Sequence, residues 1–180
     1  FIGTSYDGKR MFDFLDDKKK NESVIFNNEN GEKMWEVEKL YSEKLEFTDS
    51  VESLGMTIDV YQDAIGTSFK EYLVNYEYFK LLMEQYGFTL LNQEELKDIG
   101  FTKSIGSFKD LYNKLNSDIK SGIIRECDIG NALNMNDNEK NVSFMNNYFI
   151  FKKIRHEISN VALMGSKINE IELNLDIIAE

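Results

Sequence analysis

The chain has 180 residues, 42% of them hydrophobic and 13% aromatic, enough for one domain with a buried core, which excludes intrinsic disorder. Lys and Arg number 21 against 32 Asp and Glu, a formal charge of −11, so bulk charge does not grip a nucleic-acid backbone and any such contact is local or shared with another segment. The single cysteine, Cys127, excludes an internal disulfide framework and fits a reducing compartment, and no apolar run reaches the roughly 20 residues that span a bilayer. These features predict a soluble cytoplasmic protein.

Proline is absent, against an average usage of roughly 5%. With scarce Ala and abundant Asn, Lys and Ile, this points to an AT-rich coding sequence. Phe1-Ile2-Gly3-Thr4 lacks a start methionine and enters directly into an apolar run, as in a chain cut from something longer.

In chain order, Phe1 to Ser5 predicts a short buried strand, and the turn Tyr6-Asp7-Gly8 leads to a helical face through Met11, Phe12, Phe14 and Leu15. The charged stretch 16–22, with Lys18-Lys19-Lys20, reads as a solvated connection. Val24-Ile25-Phe26 and Met34-Trp35-Glu36-Val37 flank Asn30-Gly31 and predict a β-hairpin. Residues 42–53 read as a surface loop, and Met56 to Tyr61 alternates as a half-buried strand. Ser68-Phe69-Lys70-Glu71 has the S-x-x-E form of a capping box and opens an apolar stripe through Phe69, Leu73, Tyr76, Phe79 or Lys80, Met83 and Tyr86 that ends at Gly87, predicting a helix from about 69 to 86 with this stripe in the core.

Phe88 to Leu91 follows at once as a strand, which suggests the αβ half of a βαβ unit. Short helices are expected over 92–99 and 107–115. Residues 122–130 are ambiguous, 134–141 are polar, and Asn147 to Ile154 predicts a strong final strand. Residues 155–180 fit helix or strand. No internal repeat is present.

Most catalytic signatures are missing: no G-x-S-x-G, Walker loop, H-E-x-x-H or EF-hand loop occurs. Cys127 and His156 are too few for a Cys/His zinc site, and His156 beside Arg155 reads as a surface residue. The residues alone lead to a soluble α/β domain without an assigned reaction.

Phe1-Ile2-Gly3-Thr4, the strand with Asp59, Glu71-Tyr72-Leu73-Val74, Gly87-Phe88-Thr89-Leu90 and Tyr148-Phe149-Ile150-Phe151-Lys152 follow one another in an order and spacing that resemble messenger-RNA cap guanine-N7 methyltransferases. The likeness is in particular to the methyltransferase part of capping enzymes of large DNA viruses, which would place the protein in the cytoplasm, a viral factory or a virion. It covers roughly residues 1–154 and leaves 155–180 as an unassigned tail. It implies an α/β, Rossmann-like, S-adenosylmethionine-dependent methyltransferase fold, of which this chain supplies the carboxyl-terminal portion with an inserted β-hairpin.

On that resemblance, Glu71 and Tyr148 line the pocket for the cap guanine, and Tyr6 and Asp7, in the loop after the first strand, lie near it. Relatives carry a Pro-Asn or similar pair there, and Tyr6 departs from that pattern. The chemistry is consistent: guanine presents N1–H and N2–H₂ along one edge, which a carboxylate accepts as a pair while a ring borders the base. Methyl transfer to N7 uses an available lone pair, so positioning replaces a general base and no metal is called for. The S-adenosylmethionine site is expected upstream of Phe1, because the glycine-rich loop and acidic strand end that form it are missing here. The isolated chain is therefore expected to be inactive. Expected partners are the capped mRNA 5′ end and the upstream half of the domain or a capping-enzyme subunit, with no membrane.

Plainer roles compete with each assignment. Glu71 is also the third residue of the predicted capping box, a bond worth about 0.5 to 1 kcal/mol. Tyr148 alternates with Phe149, so one of the two rings faces each side and Tyr148 fits a core position as well. Asp59, Lys152 and Lys153 fit solvated positions. The whole chain also fits a non-catalytic, methyltransferase-like subunit that stimulates a catalytic partner, as the small subunit of poxvirus capping enzymes does, or an unrelated α/β interaction domain.

Overall fold

The computed structural model describes residues 1–42 and 45–154; His156 and the segment 155–180 lie outside the described residues. Strand β1 (Ile2–Tyr6) runs into helix α1 (Gly8–Phe14) through Asp7, whose carboxylate accepts from the Arg10 amide at 3.1 Å. An Asp side chain at this position satisfies an amide that has no partner within the helix. The expected strand, turn and helix are all present, but the strand is not buried as expected: Phe1 and Ile2 are 64% and 70% exposed, and only Tyr6 at its end is buried.

Strands β2 (Ser23–Asn27) and β3 (Lys33–Lys39) form the hairpin, with Gly31 at φ +82° supplying a turn conformation that other residues adopt at a cost. This hairpin is half of a larger unit. Strands β4 (Thr57–Gln62) and β5 (Thr67–Tyr72) extend it into a four-stranded antiparallel sheet in the order β2-β3-β4-β5. Its inner face carries Trp35, Val37, Ile58 and Val60, all nearly inaccessible, and packs on Met11 and Leu15 of the α1 segment and on Tyr6. Lys39 continues the same face and is buried because its Nζ donates to the Leu15 carbonyl just beyond α1, at 3.0 Å. The intervening loop is anchored here too, with Phe47 against this core and Ser53 buried.

The helix expected over 69–86 is corrected. Residues 67–72 are the edge strand β5, and helix α2 spans Tyr76–Gln85. Gly66, at φ +75°, closes a tight turn with its amide on the Gln62 carbonyl at 2.9 Å, which sends the chain back along β4. Six residue pairs follow, from Gln62↔Thr67 to Thr57↔Tyr72. An S-x-x-E sequence cannot cap a helix when its residues alternate across a strand, and the true cap is Asn75, whose Oδ1 accepts from the Tyr78 amide at 3.0 Å. Tyr76, Phe79 and Met83 then form the apolar face of α2.

The second sheet is built on β8 (Asn146–Lys153). β1 pairs along one of its sides, and β6 (Phe88–Leu90) and β7 (Ile105–Ser107) share the other. All three run antiparallel to β8, so the expected βαβ unit is not formed. β6 turns back from α2 at Gly87, φ +78°, and meets a strand that arrives from the opposite direction. Helices α3 (Gln93–Asp98), α4 (Phe108–Lys120) and α5 (Asp137–Phe144) fill the connections, α3 and α5 with reciprocal capping boxes at Asn92/Glu95 and Asn136/Glu139. The polar stretch 134–141 thus contains a helix start. The architecture is mixed α/β with two antiparallel sheets.

Phe149 and Phe151 on one face of β8 meet Phe79 of α2 edge to face, with ring centroids 5.1 and 5.5 Å apart. The two sheets join where Gly8 crosses the end of β5. The Gly8 amide donates to the Val74 carbonyl at 3.0 Å, and a Cβ on Gly8 would stand 2.5 Å from that oxygen. Gly8→Ala is therefore expected to destabilise the protein by about 2 to 3 kcal/mol in denaturant titrations, against less than about 0.5 kcal/mol for Thr4→Ala on the exposed part of β1. The same titration tests the strand assignment of β5: Asn75→Ala is expected to cost about 1 to 2 kcal/mol, and Ser68→Ala, which would cost about 1 kcal/mol at a helix cap, less than about 0.5 kcal/mol.

Candidate functional site

Residues directly opposite in an antiparallel ladder share a face. The pairs Val60↔Phe69 and Ile58↔Glu71 therefore put Phe69 and Glu71 on the inner face of the first sheet, with Leu73 next in the same row. Leu73 is buried in the core, Glu71 is half-buried, and Phe69, on the rim, is 49% exposed. The row descends from an open ring, past a carboxylate, into packed hydrocarbon. Among the described residues no donor reaches the Glu71 carboxylate, and burial alone lifts its pKa above the ordinary value. A half-buried acceptor with free lone pairs is a feature that local packing does not use, and the buried Tyr41 hydroxyl in the same core likewise has no partner among the described residues.

Tyr6 closes the inner side. It is buried at the end of β1, and its hydroxyl oxygen accepts from the Trp35 indole N–H and from the Gln62 amide, both at 3.0 Å. Burial raises the Tyr6 pKa, the Trp35 bond opposes this, and the nearby Glu71 charge adds to it. The Tyr6 hydroxyl and the Glu71 carboxylate are thus within electrostatic reach of each other. Beyond Gln62 the face opens into a hollow of about 340 Å³ lined by Met34, Trp35, Ala64 and Val142.

Asp7 and Tyr148 are placed differently. Both Asp7 oxygens serve the fold: Oδ1 accepts from the Arg10 amide, and Oδ2 accepts from Asn147 Nδ2 at 2.7 Å with the Arg10 guanidinium 3.6 Å away. Tyr148 and Phe149 do point to opposite sides of β8. The Tyr148 ring lies over Gly106, where a Cβ would stand 2.5 Å from its hydroxyl, and beside Phe101 at 5.2 Å, and its hydroxyl donates to the Lys103 carbonyl at 3.1 Å. Tyr148 thus has its own partners, away from those of Glu71, and burial raises its pKa.

The remaining candidates have simple surroundings. Asp59 faces the outer side of the first sheet between Glu38 and Lys70. Lys152 pairs with Glu95, and Lys153 lies over the Phe88 ring at 4.6 Å. Cys127 is exposed. Among the described residues no group of three His, Cys, Asp or Glu is arranged to hold a metal, and no helix is long and apolar enough to cross a membrane.

Phe69, Gln62 and Trp35 are the neighbours of Glu71 and Tyr6 that sequence reasoning missed. A period-two reading of Phe69-Lys70-Glu71 places ring and carboxylate on one face, whereas the helical reading assigned Phe69 to a core stripe. Compared with models of known protein families and with curated proteins, the chain matches none.

The raised pKa fixes a sign. The folded state binds a proton at Glu71 more readily than the unfolded chain, whose value is near 4.5, so this group destabilises the fold at neutral pH and ceases to do so as the pH falls through its raised pKa. Glu71→Gln is expected to raise the melting temperature at pH 7 by roughly 1 °C, a small effect because solvent reaches the group. The gain should shrink with falling pH and vanish below 4.5, as read by thermal unfolding across a pH series.

Proposed function

We propose that this chain is the guanine-binding portion of an RNA cap guanine-N7 methyltransferase, with Glu71 reading the base edge. The observation that carries the reading is the half-buried Glu71 carboxylate without a donor, on the Glu71-Tyr72-Leu73-Val74 segment that bears the resemblance. In its ionised form it accepts N1–H and N2–H₂ of guanine together; adenine presents no such pair of donors on that edge. Tyr6, fixed by Trp35 and Gln62, forms the inner wall, and Asp7 positions Tyr6 by holding the chain reversal after β1.

Methyl transfer to N7 needs no proton removed beforehand, so these residues contribute by orienting the base toward a sulfonium methyl. S-adenosylmethionine would be held by residues outside this chain. Among the described residues no strand pairs with the outer edge of β1, where Phe1 and Ile2 are 64% and 70% exposed, and further strands of a Rossmann-like sheet can add there.

The engagement of Asp7 and Tyr148 within the fold favours a second reading, a methyltransferase-like subunit without catalysis of its own that docks on a capping enzyme through the same β1 edge. Calorimetric titration with the dinucleotide GpppA, GTP and ATP separates the two. Guanine binding is expected to exceed ATP binding by about 10- to 100-fold in the parent, to fall as the pH drops through the Glu71 pKa, and to lose its base preference in Glu71→Gln. Equal affinity for GTP and ATP, or a preference untouched by Glu71→Gln, overturns the guanine assignment. The second reading requires a stoichiometric complex with a capping enzyme whose activity is indifferent to Glu71.

A further inference from the structure

The row that contains Glu71 begins with a residue the packing does not explain. Phe69 lies on the inner face of β5, opposite Val60, which is 2% exposed, yet its own ring is 49% exposed. A large ring on the inward side of a sheet is ordinarily covered. Here β5 is the edge strand, and the cover formed by Tyr6 and the α1 segment buries β3 and β4 while leaving this position open. Two residues of extended chain separate Phe69 from Glu71 by about 7 Å on one face. That spacing suits a planar heteroaromatic base lying on the ring with its polar edge at the carboxylate.

We propose that Phe69 is the stacking platform of the base site and sets its affinity for purine nucleotides, while Glu71 sets the choice of base. This rests on the guanine-binding reading of Glu71. The division of labour follows from the two kinds of contact. Stacking engages the π-face that every purine has, so it strengthens binding without choosing among bases, whereas the carboxylate distinguishes one edge from another. Phe69 can play this part because its neighbours leave the ring free. Thr67, next in the row, is exposed, and Lys70 and Tyr72 point to the opposite side of the strand. Pairing with Val60 fixes the backbone that carries the ring, which lowers the ordering cost of binding.

The test is calorimetric titration of the chain with GTP and with ATP, using Phe69→Ala, Phe69→Leu, Phe69→Trp and Glu71→Gln, each checked for native circular dichroism and melting temperature. The exposure of Phe69 makes all three of its variants compatible with folding. Phe69→Ala and Phe69→Leu are expected to weaken both nucleotides by about 10-fold or more with the GTP:ATP ratio unchanged, and Phe69→Trp to restore or exceed parental affinity. Glu71→Gln is expected to change the ratio. If Glu71→Gln removes the preference for guanine but Phe69→Ala stays within about twofold of the parent, the platform is refuted and the guanine reading survives. If Phe69→Leu binds as well as the parent, the ring acts as apolar bulk and the stacking role is refuted. If both nucleotides bind equally to the parent and both weaken in Phe69→Ala, the platform stands and the guanine reading falls. If neither nucleotide binds the parent, both fall.

Discussion

Everything in this fold passes through the crossing of the Tyr6-Asp7-Gly8 segment with Val74-Asn75. At that point β1 ends and α1 begins, β5 gives way to α2, and the start of β8 comes close enough for Asn147 to bond Asp7. Gly8 allows backbone to lie on backbone, its amide on the Val74 carbonyl, while the Asp7 amide donates to the Met145 carbonyl at 2.8 Å. Asn75 is held in turn by the Thr48 carbonyl at 2.6 Å, which ties in the long loop. Backbone and side-chain polar groups from both sheets bond one another here in a small volume, with Asn147 Oδ1 left without a partner among the described residues, and these bonds favour one relative placement of the two sheets.

The candidate site is a by-product of that placement. Tyr6 is the last residue of β1, so the crossing places its ring against the inner face of the other sheet, where Trp35 and Gln62 donate to its hydroxyl oxygen. α1 and its flanks cover most of that face but stop short of the edge strand, and the uncovered remainder holds Phe69 and Glu71. A carboxylate left half-buried without a donor costs stability, as its raised pKa records. Such a cost is commonly tolerated at binding sites, where the missing partner comes with the ligand.

Composition matters as well. With a charge of −11, the protein offers little general attraction to a polyanion, so any nucleotide bound at the candidate site would have to be held by local contacts. The two antiparallel sheets also differ: the one built on β8 forms the aromatic core with α2 and, among the described residues, has no partner strand beyond β1, and the other carries Phe69 and Glu71 on its inner face. Tyr148, buried over Gly106 and bonded to the Lys103 carbonyl, belongs to the first of these, which explains why residues 77 positions apart in the chain, Glu71 and Tyr148, keep separate company.

The sequence by itself determined much of the local structure: the strand and helix at the beginning, the Asn-Gly hairpin, the alternating β4, and the central β8 all follow from period and turn chemistry. It also marked Glu71, Tyr148, Tyr6 and Asp7 as residues to watch, through resemblance. Tertiary structure decided the rest. Residues 67–72 became a strand because β4 presented an open ladder and Gly66 turned the chain onto it, and six pairings outweigh the local preference of one S-x-x-E motif. Whether Phe69 faces core or solvent depended on how far α1 reaches across the sheet, and whether Asp7 and Tyr148 were free depended on Asn147 and Lys103, 140 and 45 residues away. Local preferences are set by near neighbours and can be read from them; burial and the satisfaction of polar groups are set by whatever the fold brings alongside.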